Sequence, residues 1–195
     1  MDLIDEYSLW NQETGKTAPE PEGFKEFEGA DISAQAHWNK LIKTGKPVLS
    51  GSFRSVQGAA AVAFHYPVFS SGNRLAGSVS ALFAPEKLLT GIIEPVTANL
   101  PVDIFLMQTD GLMIHDMDAD QIGRNVFHDP LYQPFPELLA LAQKVAVTKK
   151  GTGEYRFYQE GSGEPVSKVA YWKTAGKLGT EWRLVITCAK DRIEK

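Results

Sequence analysis

Apolar positions along the chain switch between two periods. Around residues 30–45 they recur at helical spacing, with Ile32, Ala36, Leu41 and Ile42 on one face. Asp31 or Ser33 can cap the start of this helix, and Gly45 can end it. Three strand-like runs follow at 47–53, 59–69 and 75–83, with Ser70, Ser71, Gly72 and Asn73 as the turn between the last two. Pro85 then opens a helix that carries Leu88, Leu89, Ile92 and Ile93 on one side. The second half repeats this order. Two short apolar runs, 104–107 and 112–114, flank Thr109, Asp110 and Gly111, which spells a hairpin closed by Asp-Gly. After a polar segment around Gly123 come a helix over 136–150, a stop at Gly151, and strands at 153–159, 166–174 and 181–189. Gly45 precedes Tyr66 by the same number of residues as Gly151 precedes Trp172.

Two tandem copies of one unit are therefore expected, each an α+β module with an antiparallel sheet and its helices segregated to one face. The seam falls in the helix after Pro85, which gives modules 1–95 and 96–195. The hairpin of the first copy has to come from 1–10 and the stretch after 11–15, where 17–23 is rich in Pro and Glu.

Composition narrows the function. The 195 residues are 43% hydrophobic and 23% charged, as in well-packed globular proteins. A net charge of −4 with no basic run argues against nucleic acid or an anionic membrane surface as partner. The pair Lys149 and Lys150 fits the last turn of the second-half helix. Cys188 is the single cysteine, so no intrachain disulfide forms, and its apolar strand marks it as a small core residue. No apolar run approaches the roughly 20 residues of a membrane helix, and the first residues lack the basic start of a signal peptide.

Few motifs carry chemistry. Asp116, Asp118 and Asp120 alternate as in a calcium loop, but the sixth and twelfth positions hold Gln121 and Phe127 in place of Gly and Glu. A solvated acidic turn is the expected reading. The histidines at 37, 65, 115 and 128 lack zinc-ligand spacing, and neither a heme-attachment motif nor a Gly-x-Ser-x-Gly elbow is present. The glycine pairs at 151 and 153 and at 161 and 163 flank a strand and read as turns. No metal, no cofactor and no enzymatic activity are expected. A hydrolase built around His115, Asp116 and Asp118 is the catalytic rival.

The run from Asp110 to Asp116, followed by Ile122, Gly123, Arg124 and Asn125, resembles the hairpin and following turn of the Cache family, the PAS-like extracytoplasmic sensor domains of prokaryotic receptors. Thr44 to Ser50, Tyr66 to Phe69 and Leu75 to Val79 resemble strands of that family's membrane-distal module. The resemblance implies two tandem PAS-like modules, the first without its long N-terminal helix, held outside the membrane between helices that this chain lacks. It implies sensing of a small-molecule ligand, such as a carboxylate, for a histidine kinase, chemoreceptor or cyclase, with homodimer formation left open. The alternative is a free secreted or periplasmic solute-binding protein of the same fold.

In such a fold the ligand sits between the sheet and its cover, so polar or aromatic side chains on alternate strand positions are the candidates. In the first module these are Trp38, Ser52, Arg54 as anion partner, His65 and Tyr66. Phe64 and Tyr66 share one face of their strand and His65 takes the other, so His65 and Tyr66 cannot both point inward. In the second module the candidates are His115, Tyr132, Tyr155 and Tyr171, with Lys168 beside them, while packing competes for Trp38, Trp172 and each tyrosine. Amino-acid-binding members use Arg-x-Trp-Tyr on the covering helix and an aspartate in the third strand. Here Gln35, Ala36, His37 and Trp38 stand in the helix, and 77–83 carries no acid. An ammonium there would lose a charge-assisted hydrogen bond of about 1.5–3 kcal/mol, which disfavours amino acids at that site.

Overall fold

The computed structural model describes residues 6–11, 16–17, 29–158 and 163–193. The chain divides into two compact units, 1–88 with 177–180 and 89–176 with 181–195. The expected seam and this division both fall within one helix, Pro85–Thr97.

The first unit is built on a six-stranded antiparallel sheet. Its strands are β1 (Glu6–Asn11), β2 (Lys16–Thr17), β3 (Val48–Leu49), β4 (Phe53–Arg54), β5 (Ala60–Phe69) and β6 (Leu75–Phe83). The order is β2-β1-β6-β5-β3, with β4 also on β5. Trp10 pairs with Thr17, so β1 and β2 supply the antiparallel pair expected near the start; residues 12–15 and the Pro- and Glu-rich 18–23 lie outside the described residues. Helix α1 (Ala36–Thr44) buries His37, Trp38 and Leu41, and Gly45, in the left-handed region at φ 60°, ends it as expected. Trp38, Leu41, Ile32 and Val48 form this unit's apolar cluster. Strand parity sorts β5: Ala61, Ala63 and His65 are buried, whereas Tyr66 is 58% exposed.

The second unit has the same strand order with five strands: β7 (Asp103–Gln108), β8 (Met113–His115), β9 (Lys150–Tyr158), β10 (Pro165–Ala175) and β11 (Trp182–Ala189) run β8-β7-β11-β10-β9. Between β8 and β9 lies α3 (Pro136–Val147), opened by Pro136 in its first turn. Leu138, Leu141, Ala142 and Val145 pack onto Tyr155, Phe157, Ala170, Trp172 and Val185 of the sheet. The C-terminal carbonyls of α3 are met from the sheet. Buried Arg183 donates to Val145 O at 3.0 Å and Ala146 O at 3.1 Å, placing a cation at the negative end of the helix. Trp182 and Cys188 are buried, as their strand pattern indicates. Helix α2 (Pro85–Thr97) and the last turn α4 (Lys190–Ile193) complete the elements.

Local expectations fail at both covering helices. Asp31 does not cap α1: its carboxylate accepts from Ser33 N in a preceding turn, and the cap position is Gln35, which makes no side-chain cap bond. Helix α3 stops at Val147 instead of 150, because Thr148 is already extended and the chain enters β9 at Lys150. Lys149 and Lys150 therefore follow the helix, and Gly151 is a strand residue. Gly151 sits directly opposite Trp172 in the ladder, and a Cβ there would lie 2.3 Å from the indole. The indole N–H donates to Thr148 Oγ1 at 3.0 Å, so the ring is fixed at both ends. Replacing Gly151 by Ala should destabilise the protein by about 1–3 kcal/mol in urea denaturation through overpacking. Gly163→Ala, with nothing within 4 Å of its added Cβ, serves as the neutral control.

Candidate ligand-binding site

The covered face of each sheet encloses a cavity. In the second unit the cavity measures about 50 Å³ and lies between the sheet and α3. Its body is apolar, made by residues such as Phe105, Met107, Leu141 and Val145. Asp116, Gln121, Tyr132, Tyr155, Lys168 and Thr187 bring polar groups to its wall. Strand register explains the grouping: Tyr155 and Lys168 are cross-strand partners, and Thr187 is the partner of Ala170 on one side and of Asp103 on the other.

The polar groups are tied into the loop after β8. Tyr132 OH donates to Gln121 Oε1 at 3.2 Å, and Gln121 Nε2 donates to Asp118 Oδ2 at 3.2 Å. Asp118 N in turn donates to Asp116 Oδ1 at 2.9 Å, and Asp120 N to Asp118 Oδ1 at 3.1 Å. The alternating aspartates thus build turns with their own backbone. Asp118 starts a 3-10 turn over Ala119–Gln121. A solvated acidic turn describes Asp120, but Asp116 is half-buried and lines the cavity, a placement that needs the fold.

Charge is unevenly satisfied. Lys168, buried along its stem, donates to Asp103 Oδ2 at 3.0 Å. Burial raises the Asp116 carboxyl to about 7, reinforced by the charges of Asp118 and Asp103 and opposed by the Asp118 N–H and by Lys168. Tyr132 and Tyr155 are both pushed upward, first by burial and then by the Asp116 charge.

The first unit has a smaller cavity, about 20 Å³, lined by residues that include His37, Phe53, Gln57 and His65. The two imidazoles stack at 4.8 Å, and Ser80 Oγ is hydrogen-bonded to His65 Nδ1. The Nε2 atoms of both histidines are buried without a hydrogen-bond partner. Burial lowers His37 to about 4; burial and then the His37 charge lower His65 to about 3.

Of the ten residues nominated from sequence, Tyr132, Tyr155 and Lys168 line the larger cavity together, and His65 lines the smaller one. Trp38, 1% exposed, lies in the apolar cluster, and His115 is buried on β8 and does not line the larger cavity. Ser52 is half-buried and Arg54 exposed on β4, and neither lines a described cavity. Tyr66 and Tyr171 stand on the uncovered faces, 58% and 57% exposed. Sequence reasoning missed Asp103, Gln121 and Thr187 as neighbours of this cavity, and His37 at the smaller one. For Thr187 a signal existed, since it alternates with buried Val185. Among the described residues no group of three or more His, Cys, Asp or Glu is placed to hold a metal ion, and no helix is long and apolar enough to cross a membrane.

Residues 5–85 match the family model described as HK/GC/Chemotaxis protein-like, sensor domain. The fold, two α+β units each with an antiparallel sheet, is shared with sensory and ligand-binding domains of solved structure. An extracellular ligand-binding receptor from Desulfohalobium retbaense shares 30% identity over 96% of the chain with a TM-score of 0.78, and the chain spans 31% of that receptor's length. The ligand-binding domain of the Pseudomonas aeruginosa chemoreceptor PctB, in complex with L-Arg, is 15% identical with a TM-score of 0.63, over 96% of this chain and 72% of its own. The periplasmic sensory domain of the Campylobacter jejuni chemoreceptor Tlp1 is 14% identical with a TM-score of 0.56, over 99% and 75%. No curated protein matches the chain.

The buried histidines of the first unit give a signed pH dependence. Each is lowered below the ordinary 6.5, so the unfolded chain binds more protons between the two values. Stability contributed above pH 6.5 is lost as pH falls toward about 4 for His37 and about 3 for His65. Urea midpoints at pH 6.5, 5.5 and 4.5 should fall more steeply for the wild type than for His37→Gln. Parallel slopes would remove the histidines as the cause.

Proposed function

We propose that the chain is the extracytoplasmic ligand-sensing part of a membrane signal-transduction receptor, a histidine kinase or chemoreceptor, and that it binds a small metabolite without chemical turnover. The observation that carries this reading is the larger cavity, an apolar bowl with a few convergent polar groups between a sheet and its covering helix. The family match and the structural relatives support it by their descriptions as sensory and ligand-binding domains. A carboxylate ligand is a narrower expectation; its nominated partner Arg54 is solvent-exposed. A ligand acts on signalling only through unequal affinity for two states of the domain. The secreted solute-binding alternative differs in the full gene product, where an adjoining apolar stretch of about 20 residues supports the receptor.

A thermal-shift screen of organic acids, amines and amino acids tests the reading. A ligand at 100 times its Kd should stabilise the domain by about 2.7 kcal/mol, which raises Tm by several degrees. If no compound of any class shifts the transition, the sensing role fails.

A further inference from the structure

We propose that the cavity of the second unit is a site for a small aliphatic ammonium, with Asp116 as its counter-charge and Tyr132, Tyr155 and Phe157 as its aromatic wall. This rests on the ligand-sensing reading and names the chemistry of one site within it.

Two ionisable side chains of opposite sign line the cavity, and only one has an ionic partner at contact distance. Lys168 is held by Asp103 at 3.0 Å, so its ammonium is already neutralised. Among the described residues Asp116 accepts one backbone hydrogen bond, from Asp118 N, and has no salt bridge. The groups that face it are Lys168 and Asp103 from the sheet, Asp118 from its own loop, Tyr132 ahead of α3 and Tyr155 from β9, with His115 next to it in sequence. Lys168 and Asp103 act in opposite directions on it, which leaves Asp116, with Asp118 beside it, as net negative charge at this wall. A half-buried carboxylate with no counter-ion takes up a proton or a cation.

The surroundings select the kind of cation. Tyr132 and Phe157 stack at 5.7 Å, and both line the cavity with Tyr155. Aromatic faces attract an ammonium, more strongly where water is excluded. The rest of the lining is aliphatic and suits a short alkyl tail. At about 12 Å³ for each water-sized occupant, 50 Å³ admits about four heavy atoms. An anion fits poorly: it would meet Asp116 and would need Lys168 to leave Asp103. A hydrated metal ion would find one carboxylate in an apolar bowl, too few oxygen ligands.

The test uses calorimetry on the whole chain with three probes of similar size: propylammonium, acetate and 1-propanol. Propylammonium should bind and the other two should not. Because it requires ionised Asp116, its affinity should rise by up to about tenfold per pH unit below about 7 and level off above. Asp116→Asn keeps the acceptor for Asp118 N–H, removes the charge, and should weaken propylammonium by at least about tenfold. The wild-type pH profile decides the matter even if that variant does not fold. Acetate or propanol binding in preference, propylammonium affinity that is flat with pH, or no effect of Asp116→Asn each overturns the ammonium site. So does failure of all three probes. In those cases a hit in the wider screen still leaves the sensing role standing, so the two failures are separable.

Discussion

The alternation of side chains along the strands under the covering helices decides what each module can enclose. On β10, Lys168, Ala170 and Trp172 turn toward α3, and Tyr171 turns to solvent. On β9 the same parity buries Tyr155 and Phe157 and exposes Arg156. A slip of one residue would place Tyr171 and Lys173 beneath the helix and send both Lys168 and Trp172 into water. Gly151 and Trp172 oppose each other and hold that register, because only a residue without a Cβ leaves room for the indole. The cavity and its polar wall follow from this pairing.

The two modules use the same strand order for different interiors. In the first, the hollow is small and lined by two imidazoles that burial keeps neutral. In the second it is larger and combines aromatic rings, one paired lysine and one carboxylate without a salt bridge. Their pH responses have opposite signs. The histidines favour the folded state above about pH 6.5, whereas Asp116, raised to about 7, contributes stability that is fully present near pH 4 and is lost as pH rises toward 7. A cation beside Asp116 would reverse that loss.

Much of the fold was legible in the sequence because it is encoded locally. The Asp110-Gly111 hairpin, Pro136 at the start of α3, Gly45 at the end of α1 and the opposite facing of His65 and Tyr66 all follow from turn chemistry and period. The end of α3 did not, because Gly151 has the look of a helix stop and its real constraint, Trp172, lies on the next strand. The site was legible only in part. Tyr132 and Tyr155 were found as aromatic residues near the expected cover and sheet. Lys168 and Tyr171, three residues apart on one strand, face opposite sides, and it is Lys168 that shares the face of buried Trp172. Asp116, Asp118 and Asp120 are equivalent by local spacing. What distinguishes Asp116 is a wall made by Tyr132, Tyr155 and Lys168, which only the assembled sheet provides.

Among the described residues, the fold leaves Asp116 without a salt bridge at the cavity of the second module. Carbon-13 NMR of the Asp116 carboxyl across pH measures this directly, with Asp116→Asn to assign the signal. A midpoint of about 7 is expected. A midpoint in the ordinary aspartate range, about 4, would contradict it.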